Sequence, residues 1–239
     1  MNWRAYLIEC LGAFAITFFG AYSRIQNQGD SLALALTYFM AVFALTHSFH
    51  YISGAHFNPA LTISLFFTKQ IQRNEAINYV AAQLTGSLVG GLMVFASLAK
   101  EASAKKAYYG YPQLYESQKF MASSLDAISV MFLILAVCSL YSNFKYRSIY
   151  AVTVAGVYLA NVLAFGTISG GCINFVEVLG PSLVSLNFKY FIYYLTAHAL
   201  GAAVGVTIHT NFIGYDPKEN LIDDELAQEE TADEKKKVD

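Results

Sequence analysis

Charge is what this chain has least of. Only 13% of its 239 residues are Asp, Glu, Lys or Arg, against 56% hydrophobic, where soluble domains carry about 25% charged residues. Many of those charges crowd into the stretch from Tyr215 to Asp239, so the remainder is poorer still. A net charge of −2 gives no electrostatic footprint for nucleic acid. The three cysteines, Cys10, Cys138 and Cys172, lie in apolar or motif segments and define no disulfide framework. No Asn-x-Ser/Thr sequon occurs, so glycosylation offers no clue. Glu9 interrupts the first apolar stretch, and no cleavage site follows it. That stretch reads as a retained helix, not a signal peptide.

Long apolar runs are what the chain has instead. A spanning helix needs about 20 mostly apolar residues. Segments 4–22, 32–51, 76–99, 123–142, 148–167 and 189–212 meet that length. Segments 58–68 and 174–186 are apolar but too short to span, so each fits a half-helix. The order is span, span, half, span, and then the same again, an internal repeat. Glu9 with Gly12 answers Asp126 with Ser129. Gln83, Gly86 and Gly90 answer His198, Gly201 and Gly205, and both sets read small-xxx-small, the pattern of close helix approach. Three spans per repeat send the second repeat into the membrane from the opposite side. The expected fold is therefore an all-α membrane protein with six transmembrane helices plus two re-entrant half-helices in an inverted repeat. Repeat one covers 1–100 and repeat two 120–212, within a domain of 1–214. The tail, 215–239, is Asp/Glu/Lys-rich and expected to be disordered, with room for a short helix at 219–229.

The most informative residues are Ser53-Gly54-Ala55-His56-Phe57-Asn58-Pro59-Ala60-Leu61-Thr62. Asparagine caps helices, and proline suits the first helical position, where its missing N–H costs nothing. A helix that starts inside a bilayer leaves N–H groups unpaired, which is tolerated where they line a cavity or are buried in protein. Asn58 and Asn174 stand at the heads of the two half-helices, which the inverted order brings together near the midplane. There the positive helix ends and the amides face whatever occupies the cavity.

These residues resemble the aquaporin, or major intrinsic protein, family over about residues 1–212. The 53–62 stretch matches its first signature closely. Glu9-x-x-Gly12 with Phe18-Phe19-Gly20 resembles its first helix, Gln83 with Gly86 its third, and Gly180-Pro181-Ser182-Leu183-Val184 the end of its second signature. The second signature itself departs from Asn-Pro-Ala-Arg: the chain reads Asn174-Phe175-Val176-Glu177. The resemblance implies a pore midplane at Asn58, Pro59, Ala60, Asn174, Phe175 and Val176. It implies a constriction at Tyr38, Val162, Gly171 and Glu177, with no positive charge because Glu177 stands where the family has arginine. Phe175 would then have to meet Pro59 where two prolines pack in the family. Glu177 has three open fates: to attract cations, to be protonated, or to pair with Lys189 or a lysine of the 100–119 loop. Glu9 and Asp126 are expected to brace the half-helix loops through backbone N–H groups.

Two functions follow from that resemblance. One is a passive, single-file channel for water or another small neutral solute, crossing between carbonyls at 53–57 and 169–173 and the two asparagine amides. The other is a non-conducting structural subunit of a larger membrane complex, its pore shut by the altered second signature. Whether Phe175 fills the lumen discriminates between them. The family's usual homotetramer is expected for the channel, and other membrane subunits are the partners for the structural reading. An enzyme has little support. His47 and His50 share a helix face, but no ligand set joins them, so neither metal nor cofactor is expected. The lipid bilayer is the expected partner of a multi-pass chain. Positive charge names no orientation: Arg24, Lys100, Lys105, Lys106, Lys119 and Lys189 on one side balance those of the other before the distal tail. The 100–122 loop, rich in lysine and tyrosine, is long enough to be functional or docked on a partner.

Overall fold

The computed structural model describes residues 2–141 and 147–213. The tail, with its expected disorder and the short helix at 219–229, lies outside the described residues. Nine helices run through the described chain: α1 Trp3–Gln26, α2 Ser31–Ser53, α3 Pro59–Phe67, α4 Arg73–Leu98, α5 Ala102–Lys106, α6 Lys119–Tyr141, α7 Arg147–Ser169, α8 Val176–Ser185 and α9 Phe191–Ile208. Six of them, α1, α2, α4, α6, α7 and α9, are long and apolar enough to cross a membrane. The two short ones, α3 and α8, fall where half-helices were expected.

Local chemistry sets the helix ends. Asp30 caps α2 by accepting from the Ala33 N–H at 3.0 Å. Gly54 ends α2 in the left-handed conformation, φ 82°, which glycine adopts without steric penalty. Asn58 caps α3, and Pro59 occupies its first position.

The repeat governs packing. Helix α1 packs on α4 as α6 packs on α9, and α2 pairs with α7. Half-helix α8 lies against α4 and α1, while α3 lies against α9 and α6 as well as α4. The close crossings depend on glycine. A Cβ at Gly86 would lie 2.1 Å from the Cys10 carbonyl oxygen, and one at Gly201 would lie 2.3 Å from that of Ala127. The outer faces are apolar: Leu11, Phe19, Met40, Phe132, Ile192 and Leu200 are exposed, as suits helices solvated by lipid rather than water. Polar groups collect inside instead, where Glu9, Gln83, Asn58, Asp126 and Asn174 are all fully buried.

Candidate functional site

Each half-helix is preceded by a short extended approach with left-handed residues. In the first, Gly54, Ala55 and Phe57 have φ of 82°, 51° and 51°. In the second, Gly170 and Gly171 have φ of 75° and 61°. Such backbone costs a non-glycine residue about 1–2 kcal/mol. The first approach, with two non-glycine residues so placed, carries the heavier brace. Glu9 Oε1 accepts from Ser53 Oγ at 2.7 Å and the His56 N–H at 3.0 Å. Its Oε2 accepts from the Phe57 N–H and Gln83 Nε2, both at 2.7 Å. The glycine-built approach has a lighter one. Asp126 accepts from Ser169 Oγ at 2.6 Å, and that hydroxyl accepts from the Gly171 N–H at 3.2 Å. Asp126 thus reaches the backbone through Ser169, not directly as its counterpart does.

The half-helix heads interlock. Asn58 Oδ1 accepts from the Ala60 N–H at 2.9 Å, and its Nδ2 donates to the Ile173 carbonyl at 3.0 Å. Asn174 repeats this: Oδ1 accepts from the Val176 N–H at 3.2 Å, and Nδ2 donates to the Phe57 carbonyl at 2.9 Å. Each asparagine therefore accepts from the start of its own half-helix and ties down the approach to the other. Both amides also converge on one hydroxyl, that of Tyr158 on α7, at 2.9 Å from Asn174 and a long 3.5 Å from Asn58.

The second head differs from the first where its sequence does. Phe175, not Asn174, takes the cap position of α8, with φ −63° and ψ −21°. The first turn is wound tighter than in α3, Glu177 N–H bonding back to the Asn174 carbonyl three residues earlier. Val176 is fully buried, and its carbonyl accepts from Thr17 Oγ1 at 3.0 Å and from Ser87 Oγ. The Phe175 ring does not fill the midplane. It turns toward α9, edge-on to Phe191 at 5.1 Å and to His198 at 6.3 Å, and with Pro59 and Ala60 borders a groove outside the core. An aromatic ring has no space between two interlocked heads, and α9 offers it an aromatic face.

The four positions expected at the constriction, Tyr38, Val162, Gly171 and Glu177, lie at one end of the site. A Cβ on Gly171 would lie 3.0 Å from Val162 Cα, so these two are in contact. Tyr38 on α2 and Glu177 on α8 are both buried, and Arg24 on α1 joins them. The expectation of a constriction without positive charge is corrected here. Arg24 Nη2 lies 2.9 Å from Glu177 Oε2 and 3.2 Å from Tyr38 Oη, and Nη1 donates to the Gly170 carbonyl. The guanidinium also lies over the Tyr38 ring, 5.5 Å from its centroid. Glu177 thus pairs with Arg24, not with Lys189 or a lysine of the 100–119 loop. Lys189 pairs instead with Glu116 at 2.7 Å, which raises its ammonium above the ordinary value.

The long loop between α4 and α6 packs on its own chain over this end. Tyr111 is buried, and its hydroxyl accepts from the Tyr190 N–H at 3.1 Å. Burial pushes that hydroxyl up to about 12. The Tyr115 N–H bonds to the Ile168 carbonyl at 2.8 Å. Of the histidines, His47 stacks on Phe43, His50 lies 4.4 Å from the Tyr150 ring, and His56 bonds Thr62 and Tyr141. Among the described residues no three His, Cys, Asp or Glu side chains cluster to hold a metal.

Arg24 and Tyr158 are the site residues that the sequence reading missed. By sequence Arg24 groups with the loop charges, because it lies two residues beyond the apolar segment 4–22. For Tyr158 a signal existed. It lies one helical turn before Val162, so it shares the inward face of α7 one turn deeper. Tyr150, Val154, Tyr158 and Val162 are all buried along that face.

Comparison with known proteins agrees with this geometry. A family model described as Major intrinsic protein matches residues 1–209. The "Glycerol uptake facilitator protein-like 6" of Lactiplantibacillus plantarum is 29% identical over 183 residues, covering 75% of this chain and 83% of that protein. Aquaporin-8 of Rattus norvegicus is 30% identical over 226 residues, covering 90% of this chain and 83% of that protein. The X-ray structure of the aquaglyceroporin from Plasmodium falciparum superposes with a TM-score of 0.76 at 22% identity, over 89% of this chain and 97% of that one. It has the same fold of six spans and two half-helices. By fold, by sequence and by the interlocked asparagine-headed half-helices, the chain is an integral, multi-pass membrane protein that belongs to the major intrinsic protein family.

Proposed function

We propose that this chain is a passive channel for water or another small neutral solute, which crosses in single file between the two half-helix heads. The observation that carries this reading is the convergence of the Asn58 and Asn174 amides on one point between two opposed helix N-termini. A neutral molecule with a hydrogen-bond acceptor is recognised there by two donors and two positive helix ends. An ion would leave its hydration shell for an apolar passage, at a cost of several kcal/mol. The buried Arg24–Glu177 pair supplies donors at the constriction with no net charge. The homotetramer implied by the family belongs to the same reading, and the mass of the solubilised particle tests it.

A structural, non-conducting subunit is the second reading, favoured by one observation: a tyrosine hydroxyl already occupies the point of convergence. Stopped-flow light scattering of proteoliposomes separates the two. A channel gives osmotic shrinkage faster than empty liposomes. Shrinkage at the empty-liposome rate from folded, inserted protein, both as the natural chain and with a small side chain at 158, leaves the structural reading.

A further inference from the structure

The two repeats differ at the residue that faces the half-helix heads. Tyr158 stands sixteen residues before Asn174. The residue at the same distance before Asn58 is Val42, buried on the inward face of α2. A valine stops short of the centre. A tyrosine at the mirrored position crosses it, and its hydroxyl takes both asparagine amides. Tyr158 is 2% exposed and its ring packs against that of Tyr38, centroids 6.0 Å apart, so it backs directly onto the constriction. The donors that a permeant molecule would need are thereby engaged by the protein.

We propose that Tyr158 is the residue that closes the pathway at the midplane, and that conduction requires its hydroxyl to leave the Asn58 and Asn174 amides. This rests on the channel reading and adds its gate. The closed state is held by two neutral hydrogen bonds and the packing of one ring. A molecule entering the midplane must replace both bonds, and it can do so only if it brings an acceptor of its own. Tyr158 thereby also favours small acceptors such as water over apolar solutes.

The test uses the full-length chain, reconstituted at known protein-to-lipid ratio, as the natural protein and as Tyr158→Phe, Tyr158→Val and Tyr158→Cys. Tyr158→Phe keeps the ring and the fold but frees the amides. Its osmotic water permeability per chain is expected to rise about tenfold, the population shift that one to two neutral hydrogen bonds produce. Tyr158→Val, which copies Val42, is expected to rise further. Tyr158→Cys is expected to be fast, then blocked by a small water-soluble methanethiosulfonate and restored by reductant. The natural chain serves as the control for Cys10, Cys138 and Cys172.

A natural chain that shrinks its liposomes quickly, with Tyr158→Phe and Tyr158→Val no faster, overturns the gate and leaves the channel. A fast Tyr158→Cys that the reagent does not block also overturns the gate, because the side chain would then lie off the path. Empty-liposome rates from every folded variant overturn the channel reading together with the gate.

Discussion

Arg24 and Glu177 form a buried ion pair, 2.9 Å long, between the last turn of α1 and the first turn of α8. Their side chains are 10% and 1% exposed, so neither charge is solvated well enough to stand alone. Removing one partner of a buried pair costs about 3–5 kcal/mol, whereas removing both is close to neutral. Arg24→Gln and Glu177→Gln are each expected to lower thermal stability in detergent sharply, and the double substitution to recover most of the loss. The singles should differ in function. Arg24→Gln leaves a carboxylate at the constriction and should raise cation and proton leak through a Tyr158→Val background. Glu177→Gln leaves a guanidinium there and should lower it. A pH-sensitive dye inside the liposomes reads the leak, and equal leak from the two would show that the pair lies off the path.

The fold was largely legible because membrane spans are written in composition. Segment 148–167 is mostly apolar and becomes α7, Arg147–Ser169. Asn58-Pro59 encodes its own helix start, and α3 begins at Pro59. The second head was harder to read, because Phe175 carries no such signal and α8 begins at Val176. The neighbourhood of Tyr38 and Glu177 was legible in the sequence, but its charge was not. A residue counted along one helix reveals its neighbours on that helix, while the partner of Glu177 comes from α1, 153 residues away. The midplane tyrosine left a partial trace: its place one turn before Val162 puts it on the inward face of α7, but only the structure shows its hydroxyl meeting both asparagine amides.

The two bracing carboxylates are expected to tolerate amides unequally. Both oxygens of Glu9 accept two hydrogen bonds each. In Glu9→Gln an amide NH₂ must face two donors whichever way it turns. A loss of about 2 kcal/mol is expected. Beyond Ser169 the Asp126 carboxyl has the Asn161 side-chain amide as its polar neighbour, and that amide can turn its oxygen toward an NH₂, so Asp126→Asn can keep the Ser169 bond. Its loss should stay below about 1 kcal/mol. Thermal unfolding of the two variants in one detergent makes the comparison. A larger loss in Asp126→Asn would contradict the asymmetry of the braces.

Gly86 and Gly201 occupy mirrored crossings, and each meets a backbone carbonyl that no rotamer change can move aside. Gly86→Ala would force α1 and α4 apart at Cys10, and Gly201→Ala would force α6 and α9 apart at Ala127. Overpacking of this kind costs about 1–3 kcal/mol. Gly156, on α7, has open space where its Cβ would go, and alanine is the better helix former by about 1 kcal/mol. Gly156→Ala is therefore expected to hold or raise the melting temperature while the other two lower it. A fall with Gly156→Ala as large as theirs would mean that the loss comes from helical glycine as such, not from the crossings.

Phe175 separates what shuts the lumen from what merely alters the signature. Its ring packs on Phe191 and His198 of α9, away from the asparagine amides. Phe175→Ala removes that packing and is expected to cost about 2–3 kcal/mol, somewhat less than a fully buried phenylalanine. It opens nothing at the midplane, because the Tyr158 hydroxyl still holds Asn174 at 2.9 Å. Water permeability per folded chain should match the natural protein, while Tyr158→Val in the same preparation is fast. If Phe175→Ala proved as fast as Tyr158→Val, the α8 head would have to move when its aromatic anchor is lost. The gate would then be the position of the half-helix, with Tyr158 only its most visible contact.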